Sequence, residues 1–451
     1  MARLANNAQS DGADDSGPVV SNYLLISGLY TLSMSVIWGV NTLFLLDAGL
    51  DILEVFIANA VFTGSMAVFE IPTGVLADTR GRRASFLLSV VIVCVGTLGY
   101  VAASWMGGGL LLFCLMSIVL GLGYTFYSGA VEAWLVDALQ ATGYTGQLDH
   151  VFARGATVSG AAMLLGSIAG GLLGSIDLSI PYLTRSGLLV VVYGIAFFTM
   201  RDLGFTARAK TLREMPGEMR RIARISITYG WNTRPVKLLM MAALVQSIIM
   251  AWGFYAWQPY FLDLLGRDLT WVAGIIAALI ALATIVGNSV VEWASRFCGK
   301  RTTLLLWAAG IQTVAIVCVG LVSSFTLAVA FYLLAMASMG VWGPVRQAYM
   351  HGSIPSEQRA SVISFDSLIT SSGSVVGQVG LARLAQLQSL AAGYVVGGIT
   401  TVLVMPIVLS LRHLGEKTDV IVGEAGKRGA CAAQGIPSVA SLDTNAPVPS
   451  Q

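Results

Sequence analysis

Six ionisable side chains lie inside long apolar stretches of this chain. They are Glu70, Glu132, Arg154, Glu292, Arg346 and Asp366. A charged group in an apolar phase is costly, so residues of this kind usually face an internal cavity and help to move a proton, an ion or a solute. Two kinds of chemistry are open to them. A lone carboxyl can take up and release a proton, and a carboxylate beside an arginine can form a fixed ion pair.

Glu132 is the strongest candidate for a proton carrier. It follows three small residues in the stretch "GLGYTFYSGAVEAWLVDAL", which predicts a closely packed helix with one acid directed inward. Apolar surroundings favour the protonated form of a carboxyl, which a proton carrier requires. The alternative is a structural pair with Arg154 or Arg346. Arg346 and Asp366 are predicted either as a fixed pair or, with Glu70 and Arg154, as further members of a proton-coupling set.

Another charged group follows an apolar run at "FEIPTGVLADTRGRR", residues 69–83. Gly74 would let a neighbouring helix approach closely, because it has no Cβ. Asp78 could accept hydrogen bonds at a helix end or pair with a basic residue. Gly81 would permit a tight turn, and the arginines around it would hold the loop on the cytoplasmic side of a membrane.

Membrane helices must position these residues. The chain has 451 residues, 56% hydrophobic and 11% charged, and its mean hydropathy of +0.76 is too high for a soluble domain of this length. Its continuous apolar runs can cross about 30 Å of hydrocarbon as helices and lack the alternation of membrane strands. We predict an all-α integral membrane protein of two pseudo-symmetric six-helix bundles, with spans 1 to 12 at residues 22–46, 54–77, 84–104, 109–138, 151–175, 180–200, 237–263, 270–294, 302–323, 326–350, 360–383 and 388–411.

Lysine and arginine set the predicted orientation in a cell membrane. Sixteen of them fall in loops on the side of the N-terminus, and the opposite side has only Arg185, Arg267 and, at a span edge, Arg383. Both termini are therefore predicted to be cytoplasmic. The basic central loop is expected to hold an amphipathic helix at the membrane surface, as a lipid anchor or a regulatory site. The predicted parts are an N-terminal tail at 1–21, a first bundle at 22–200, the central loop at 201–236, a second bundle at 237–411 and a disordered tail at 412–451.

The two halves resemble each other at a nearly constant spacing. A shift of 218 residues places Gly81-Arg82-Arg83 on Gly299-Lys300-Arg301. This shift and the second one given below are nearly equal and lie at equivalent places, which indicates duplication. Paired six-helix halves are a transporter architecture, with the substrate path between the halves. The other shift, of 217 residues, places Asn41, Phe44, Leu45, Gly49 and Asp51 on Gln258, Phe261, Leu262, Gly266 and Asp268.

The stretch from Gly74 to Arg83 resembles the loop 2–3 signature of the major facilitator superfamily, and with the twelve spans it resembles the drug or metabolite:proton antiporters of that family. The resemblance implies that Asp78, Arg82 and an acid on span 4 form a conformational latch that stabilises the outward-facing state. Asp137 is the expected third member, and Glu132 is the alternative. The competing interpretation is that these charges serve topology alone. The predicted latch set is Gly74, Asp78, Gly81, Arg82, Arg83 and Asp137.

Span 5, "RGATVSGAAMLLGSIAGGLLG", is loosely similar to the glycine-rich fifth span of antiporters in this family. It has Ser167 where that motif has a proline, and span 4 lacks the buried arginine of the proton-coupled exporters. Arg154 or Arg346 would have to take its place. Close helix packing is sufficient by itself to explain the glycines.

The resemblance also implies that spans 1, 4, 7 and 10 line the substrate cavity. Aromatic side chains with few polar groups suit an amphipathic or aromatic solute. An interfacial aromatic belt is the alternative for those near the outer surface. The predicted substrate-binding residues are Trp38, Asn41, Tyr124, Tyr127, Gln246, Trp252, Tyr255, Gln258, Trp342 and Gln347.

The predicted function is secondary active transport, as proton-coupled efflux of small organic molecules by alternating access. The alternative is an uptake or facilitated-diffusion permease for a sugar or an organic acid, the latter recognised by Arg346. The expected partners are a small-molecule substrate, protons and the lipid bilayer, with no nucleic acid, for a monomeric protein. The sequence predicts no enzyme, cofactor or metal site, because it has no phosphate-binding loop, metal-ligand cluster or histidine-based dyad.

Overall fold

The computed structural model describes residues 16–205, 217, 220, 221, 224–266 and 269–421. Helices occupy all twelve predicted positions, and the described residues contain no strand beyond an isolated bridge between Lys300 and Val420. Spans 2 to 6 run over Ile52–Arg80, Arg82–Trp105, Gly109–Ala141, Leu148–Gly174 and Ile180–Thr199. Spans 7 to 12 run over Arg234–Leu265, Thr270–Phe297, Arg301–Leu321, Phe325–Ser353, Arg359–Leu387 and Leu390–His413.

Ten of these helices, within the described part of the chain, are long and apolar enough to cross a membrane. The other two depart from the simple pattern for different reasons. Span 1 is broken into Ser16–Ser35 and Asn41–Asp47. Span 11 is one helix of 29 residues, but it carries many serine and threonine side chains. The all-helical membrane fold predicted from the sequence is therefore confirmed.

Span 4 also contains a break that the sequence analysis did not predict. Its first helix ends at Tyr127 and its second begins at Ala130. Gly129, between them, has a φ of 71°. That left-handed conformation is accessible to glycine without the steric cost that a Cβ would add. The break redirects the second helix and every side chain that it carries.

Each half of the chain buries its own apolar core. The first core is built from spans 1 to 6 around Phe86, Phe113 and Leu189, and the second half has two clusters within spans 7 to 12. Phe56 is an exception, because this residue of span 2 packs into a cluster of the second half, beside Trp252. The chain therefore folds as two helical bundles that also pack against each other, span 2 beside span 11 and span 5 beside span 8.

A repeat-related pair of aspartates supports the duplication. Asp202, just after span 6, accepts a hydrogen bond from the backbone N–H of Arg83 at 2.9 Å. Asp419, just after span 12, accepts one from the backbone N–H of Thr302 at 2.8 Å and another from its hydroxyl at 2.9 Å. The two acids are 217 residues apart (419 − 202), one of the shifts found in the sequence. Asp202 thus caps the start of span 3, and Asp419 caps the start of span 9, which is the equivalent helix of the second half.

The C-terminal segment differs from its prediction. The predicted disordered tail begins at residue 412, yet Asp419 is 2% exposed and Ile421 N–H donates to the carbonyl of Gly299. The capping bonds of Asp419 to Thr302 explain why this part of the tail is ordered.

The central loop is described only in part. A π-helical turn over Ser226–Trp231 is held to span 11 by a bond from the Ser226 hydroxyl to the Ser361 carbonyl at 3.0 Å. Much of the predicted amphipathic helix, like Arg267 and Asp268, lies outside the described residues.

We predict that Asp419→Ala destabilises the second bundle. Without the carboxylate, the N–H and hydroxyl of buried Thr302 lose their partner, which costs about 1–3 kcal/mol in the free energy of unfolding. Thermal unfolding in detergent, followed by tryptophan fluorescence, measures the change. Glu416→Ala, which removes an exposed acid three residues away, is the matched control. Equal stability of the two variants would contradict the capping role.

Candidate functional site

A central cavity of about 210 Å³ lies mainly inside the first bundle and is closed on one side by span 7. Spans 1, 2, 3, 4 and 6 supply most of its wall. Four of the predicted substrate-binding residues, Trp38, Asn41, Tyr124 and Tyr255, do line it. The full lining is Ile37, Trp38, Asn41, Asn59, Phe62, Tyr100, Leu120, Tyr124, Tyr182, Arg185, Phe254 and Tyr255.

Two asparagine side chains in the wall of this cavity, Asn41 and Asn59, are held by hydrogen bonds within the protein. The Tyr182 hydroxyl donates to Asn41 Oδ1 at 2.9 Å, and Asn41 Nδ2 donates to Asn59 Oδ1 at 3.3 Å. Asn59 Nδ2 in turn donates to the backbone carbonyl of Val55 at 2.9 Å. This chain fixes the orientation of both asparagines, so the wall is a preorganised surface.

Two of the other predicted substrate-binding residues make contacts inside a single bundle, away from the cavity. Tyr127 stacks on Tyr30 in the first bundle, with ring centroids 3.9 Å apart. Gln246 Nε2 donates to Gln312 Oε1 and lies 3.2 Å from Met339 Sδ, so this amide is a buried polar contact of the second bundle. Neither side chain is available to a solute in the central cavity.

Three more of these predicted residues also lie elsewhere. Trp252 and Trp342 are buried in the apolar clusters of the second bundle, and Gln347 is exposed. All three are on predicted lining helices, but the rotation of each helix turns the side chain toward the core or away from the cavity.

The remaining predicted residue, Gln258, joins the two bundles. In a continuous helix the N–H of Thr42 would donate to the carbonyl of Trp38. Span 1 is broken there, and the side-chain amide of Gln258 takes the place of that bond. Its Oε1 accepts from Thr42 N–H at 2.7 Å and its Nε2 donates to Trp38 O at 2.9 Å. Gln258 is fully buried, and its side chain satisfies two backbone groups that the break leaves without a helical partner.

Further contacts join the bundles at the same end. The Thr42 hydroxyl donates to the Tyr255 carbonyl at 2.9 Å, and Gln386 Nε2 donates to Asp51 Oδ2 at 3.0 Å. Gly171 of span 5 and Gly274 of span 8 meet so closely that a Cβ on Gly274 would lie 2.7 Å from backbone atoms of span 5. Only glycine fits this approach. We call this set of contacts, at the end that carries loop 1–2, the closed end.

Span 5 uses its other glycines for packing, as the simpler interpretation of the sequence proposed. A Cβ on Gly166 or Gly170 would collide with Ser35 or with the backbone of Val36, both in span 1. These glycines therefore allow span 1 to pack closely against span 5. Span 5 also contacts span 8.

The opposite end of the molecule, where the described chain begins and ends, is more open. Gly74 is exposed there, and a Cβ on it would meet no atom within 4 Å. Its predicted role in close helix packing is therefore wrong for this conformation, because no neighbouring helix approaches it. A second cavity of about 460 Å³ lies between the bundles on this side, lined by Met66, Ala67, Glu70, Thr125, Ser128, Arg346, Asp366, Ser367, Thr370 and Ser371. We call it the terminal cavity.

Three of the predicted proton-coupling residues meet in the terminal cavity. Arg346 and Asp366 form an ion pair, which is the fixed-pair arrangement considered from the sequence. Arg346 also donates from Nε to the carbonyl of Leu239 at 3.3 Å. Glu70 lies across the cavity on span 2, half-buried and without an ion-pair partner among the described residues.

Glu132 and Arg154 are placed differently from the prediction. Both side chains are exposed, and the structure shows no ion pair between them in its described part. Glu132 lies three residues after Gly129, in the second helix of span 4. Glu292 is also exposed and pairs with Arg296 at 2.9 Å, one turn away on span 8.

The predicted latch residues lie together within the first bundle. Arg82 forms an ion pair with Asp78 at 2.8 Å, and its Nε is 3.9 Å from Asp137 Oδ2. The second distance exceeds a hydrogen bond, so it is an electrostatic contact. Gly81 has a φ of 104°, and Arg83 donates to a backbone carbonyl of span 6 at 2.7 Å. The ion-paired cluster connects spans 2, 3 and 4.

Arg185 is the main residue of the cavity that the sequence analysis missed. It was counted as a loop residue, but it lies in the helix of span 6 and is 1% exposed. Its Nη2 is 3.2 Å from the Tyr124 hydroxyl and 3.3 Å from Met34 Sδ. The signal was present, because Arg185 falls inside the predicted limits of span 6, where an ionisable residue is a functional candidate.

Comparisons with known proteins agree with this architecture. The family model for the Major Facilitator Superfamily matches residues 23–377. An uncharacterized MFS-type transporter of Bacillus subtilis (strain 168), YxaM, is 21% identical over 407 residues, covering 86% of this chain and 94% of that protein.

Two solved structures show the same fold at low sequence identity. The nucleoside transporter NupG has a TM-score of 0.72 at 8% identity, with 87% of this chain and 99% of that chain covered. A bacterial homologue of the iron transporter ferroportin, in an inward-facing state, has a TM-score of 0.71 at 14% identity, with 87% and 98% covered.

We predict that Gln258→Leu weakens the closed end. Leucine cannot bond Thr42 N–H or Trp38 O, and leaving buried groups unsatisfied costs about 1–3 kcal/mol. Double electron–electron resonance between spin labels at Asp47→Cys and Gln388→Cys, in a background without the native cysteines, should show a larger share of long distances.

Gln246→Leu, the same change within one bundle, is the control for this experiment and should leave the distances unchanged. Identical distributions for the two leucine variants would contradict the role of Gln258.

Proposed function

Because this chain belongs to the major facilitator superfamily, and is thus a membrane transporter, we propose that it exports small organic molecules by proton-coupled alternating access. One observation carries the proposal: the bundles are sealed at one end, while a cavity lined by carboxyl groups lies between them toward the other. Such an arrangement is one half of a transport cycle. The basic loops favour a cytoplasmic location for the terminal side, and we therefore interpret this conformation as inward-facing.

Glu70 is the proposed proton carrier, in place of Glu132. Asp366 would have to give up its ion pair with Arg346 to take a proton, whereas protonation of Glu70 breaks no ion pair among the described residues. Glu132 is already exposed in this conformation and does not line the terminal cavity between the bundles. A carrier must differ in its environment between the two states, and a half-buried residue between separating bundles satisfies that condition.

The charge cluster of Asp78, Arg82 and Asp137 is proposed to act as the latch. In this conformation it lies inside the first bundle and crosses no interface. When the terminal ends close, the exposed face of span 2 around Gly74 would meet span 11. The cluster would then hold the end of span 2 in the orientation that span 11 contacts, which favours the outward-facing state.

The size of the central cavity favours small metabolites over drug-sized molecules. Pockets for drug-sized ligands begin at roughly 300 Å³, and this cavity has about 210 Å³. An organic-acid permease is the second candidate. Arg346, which the sequence analysis assigned to such a substrate, is paired with Asp366, but Arg185 offers a cation inside the central cavity.

We predict that Glu70→Gln uncouples transport from protons. In proteoliposomes, a pH gradient should drive net movement of at least one of three impermeant solutes: benzenesulfonate, benzyltrimethylammonium or uridine. Glu70→Gln should reduce this movement about tenfold or more but retain exchange of labelled for unlabelled solute.

Glu132→Gln is the matched control and should keep gradient-driven movement. Loss of coupling in Glu132→Gln alone would indicate that Glu132, and not Glu70, carries the proton. Movement that persists after nigericin collapses the gradient would overturn proton coupling.

A further inference from the structure

Arg185 is a buried cation whose charge is not compensated by the protein. Its side chain is 1% exposed, and its Nε has no hydrogen-bond partner. The groups that it does contact, the Tyr124 hydroxyl and Met34 Sδ, are neutral. No carboxylate of the described residues forms an ion pair with it. A desolvated charge without a counter-charge is unfavourable, so a bound anion would stabilise this site.

Four other polar side chains of the cavity do not compete for that anion. Tyr182, Asn41 and Asn59 are bonded to one another and to the backbone, and the Tyr100 hydroxyl is bonded to a serine hydroxyl 2.6 Å away. Arg185 therefore retains donor capacity beside amide and hydroxyl groups that are already paired. Its guanidinium also lies over the ring of Tyr124, 5.8 Å from the centroid, which fixes its orientation.

The rest of the lining suits a single aromatic ring. Phe62, Tyr124, Phe254 and Tyr255 surround the space, and Phe254 packs edge-on against Trp38 with centroids 6.1 Å apart. Aromatic walls favour a flat apolar body, and the small volume limits its size. The negative group of such a molecule would lie at the guanidinium and its ring between the aromatic side chains.

We propose that the central cavity binds a small aromatic anion, with Arg185 as the counter-charge that selects it. This assignment rests on the proposed function, because it names the substrate class of the same transporter. It differs from the sequence-based organic-acid alternative in placing recognition at Arg185 of span 6 and leaving Arg346 to its pair with Asp366.

Binding of benzoate and of its neutral isostere benzamide to the purified protein in detergent tests this proposal. Quenching of tryptophan fluorescence reports binding, since Trp38 lines the cavity. The wild type should bind benzoate about tenfold or more tightly than benzamide, the range expected for a charge-assisted hydrogen bond. Arg185→Gln should abolish the preference and leave benzamide binding unchanged, which also shows that the variant is folded. Arg185→Lys should keep part of the preference.

Arg296→Gln, which removes an exposed arginine far along span 8, is the matched control and should retain the full preference. Equal binding of benzoate and benzamide by the wild type, no binding of benzoate, or a preference that survives Arg185→Gln would each overturn the proposal. These outcomes are distinct from failure of the proposed function, which would appear as the absence of gradient-driven movement for all three solutes in proteoliposomes.

Discussion

Backbone groups in a membrane need partners, and at the break in span 1 the carbonyl of Trp38 and the N–H of Thr42 have none in their own helix. Gln258, from the other bundle, supplies both. Unpaired backbone groups are costly inside a membrane, so the contact between the two bundles at this end stabilises the break. The same break presents Trp38 and Asn41 to the central cavity, so Gln258 contributes both to the wall of the cavity and to the closed end.

In the proposed transport cycle, this dependence would separate two discrete arrangements of the molecule. The closed end is held by a few specific contacts, among them Gly171 against Gly274, and the terminal end has Gly74 exposed. Packed interfaces of this kind change between states as units, since neither end can deform continuously. The proposed binding at Arg185, inside the first bundle, and the proposed protonation of Glu70, between the bundles, would then bias the same equilibrium through different contacts.

The sequence predicted the twelve helical positions because continuous apolar length is a local property. It could not predict the break in span 1, whose bonding partner comes from 216 residues away. It also could not assign helix rotation: Trp252 and Tyr255 are close neighbours on span 7, yet one is buried in a core and the other lines the cavity. Glu132 was misplaced for a similar reason, since the turn at Gly129 redirects it. Arg185 could have been identified as a candidate from the sequence, because it lies inside a predicted span.

The central claim is that opening one end closes the other. The most direct test is the maleimide labelling rate of Gly74→Cys, in a background without the five native cysteines, compared with the same protein carrying Gly274→Ala. The added Cβ would collide with span 5 and force the closed end apart. We expect labelling at position 74 to become slower, because the terminal end closes. An unchanged or faster rate would contradict it.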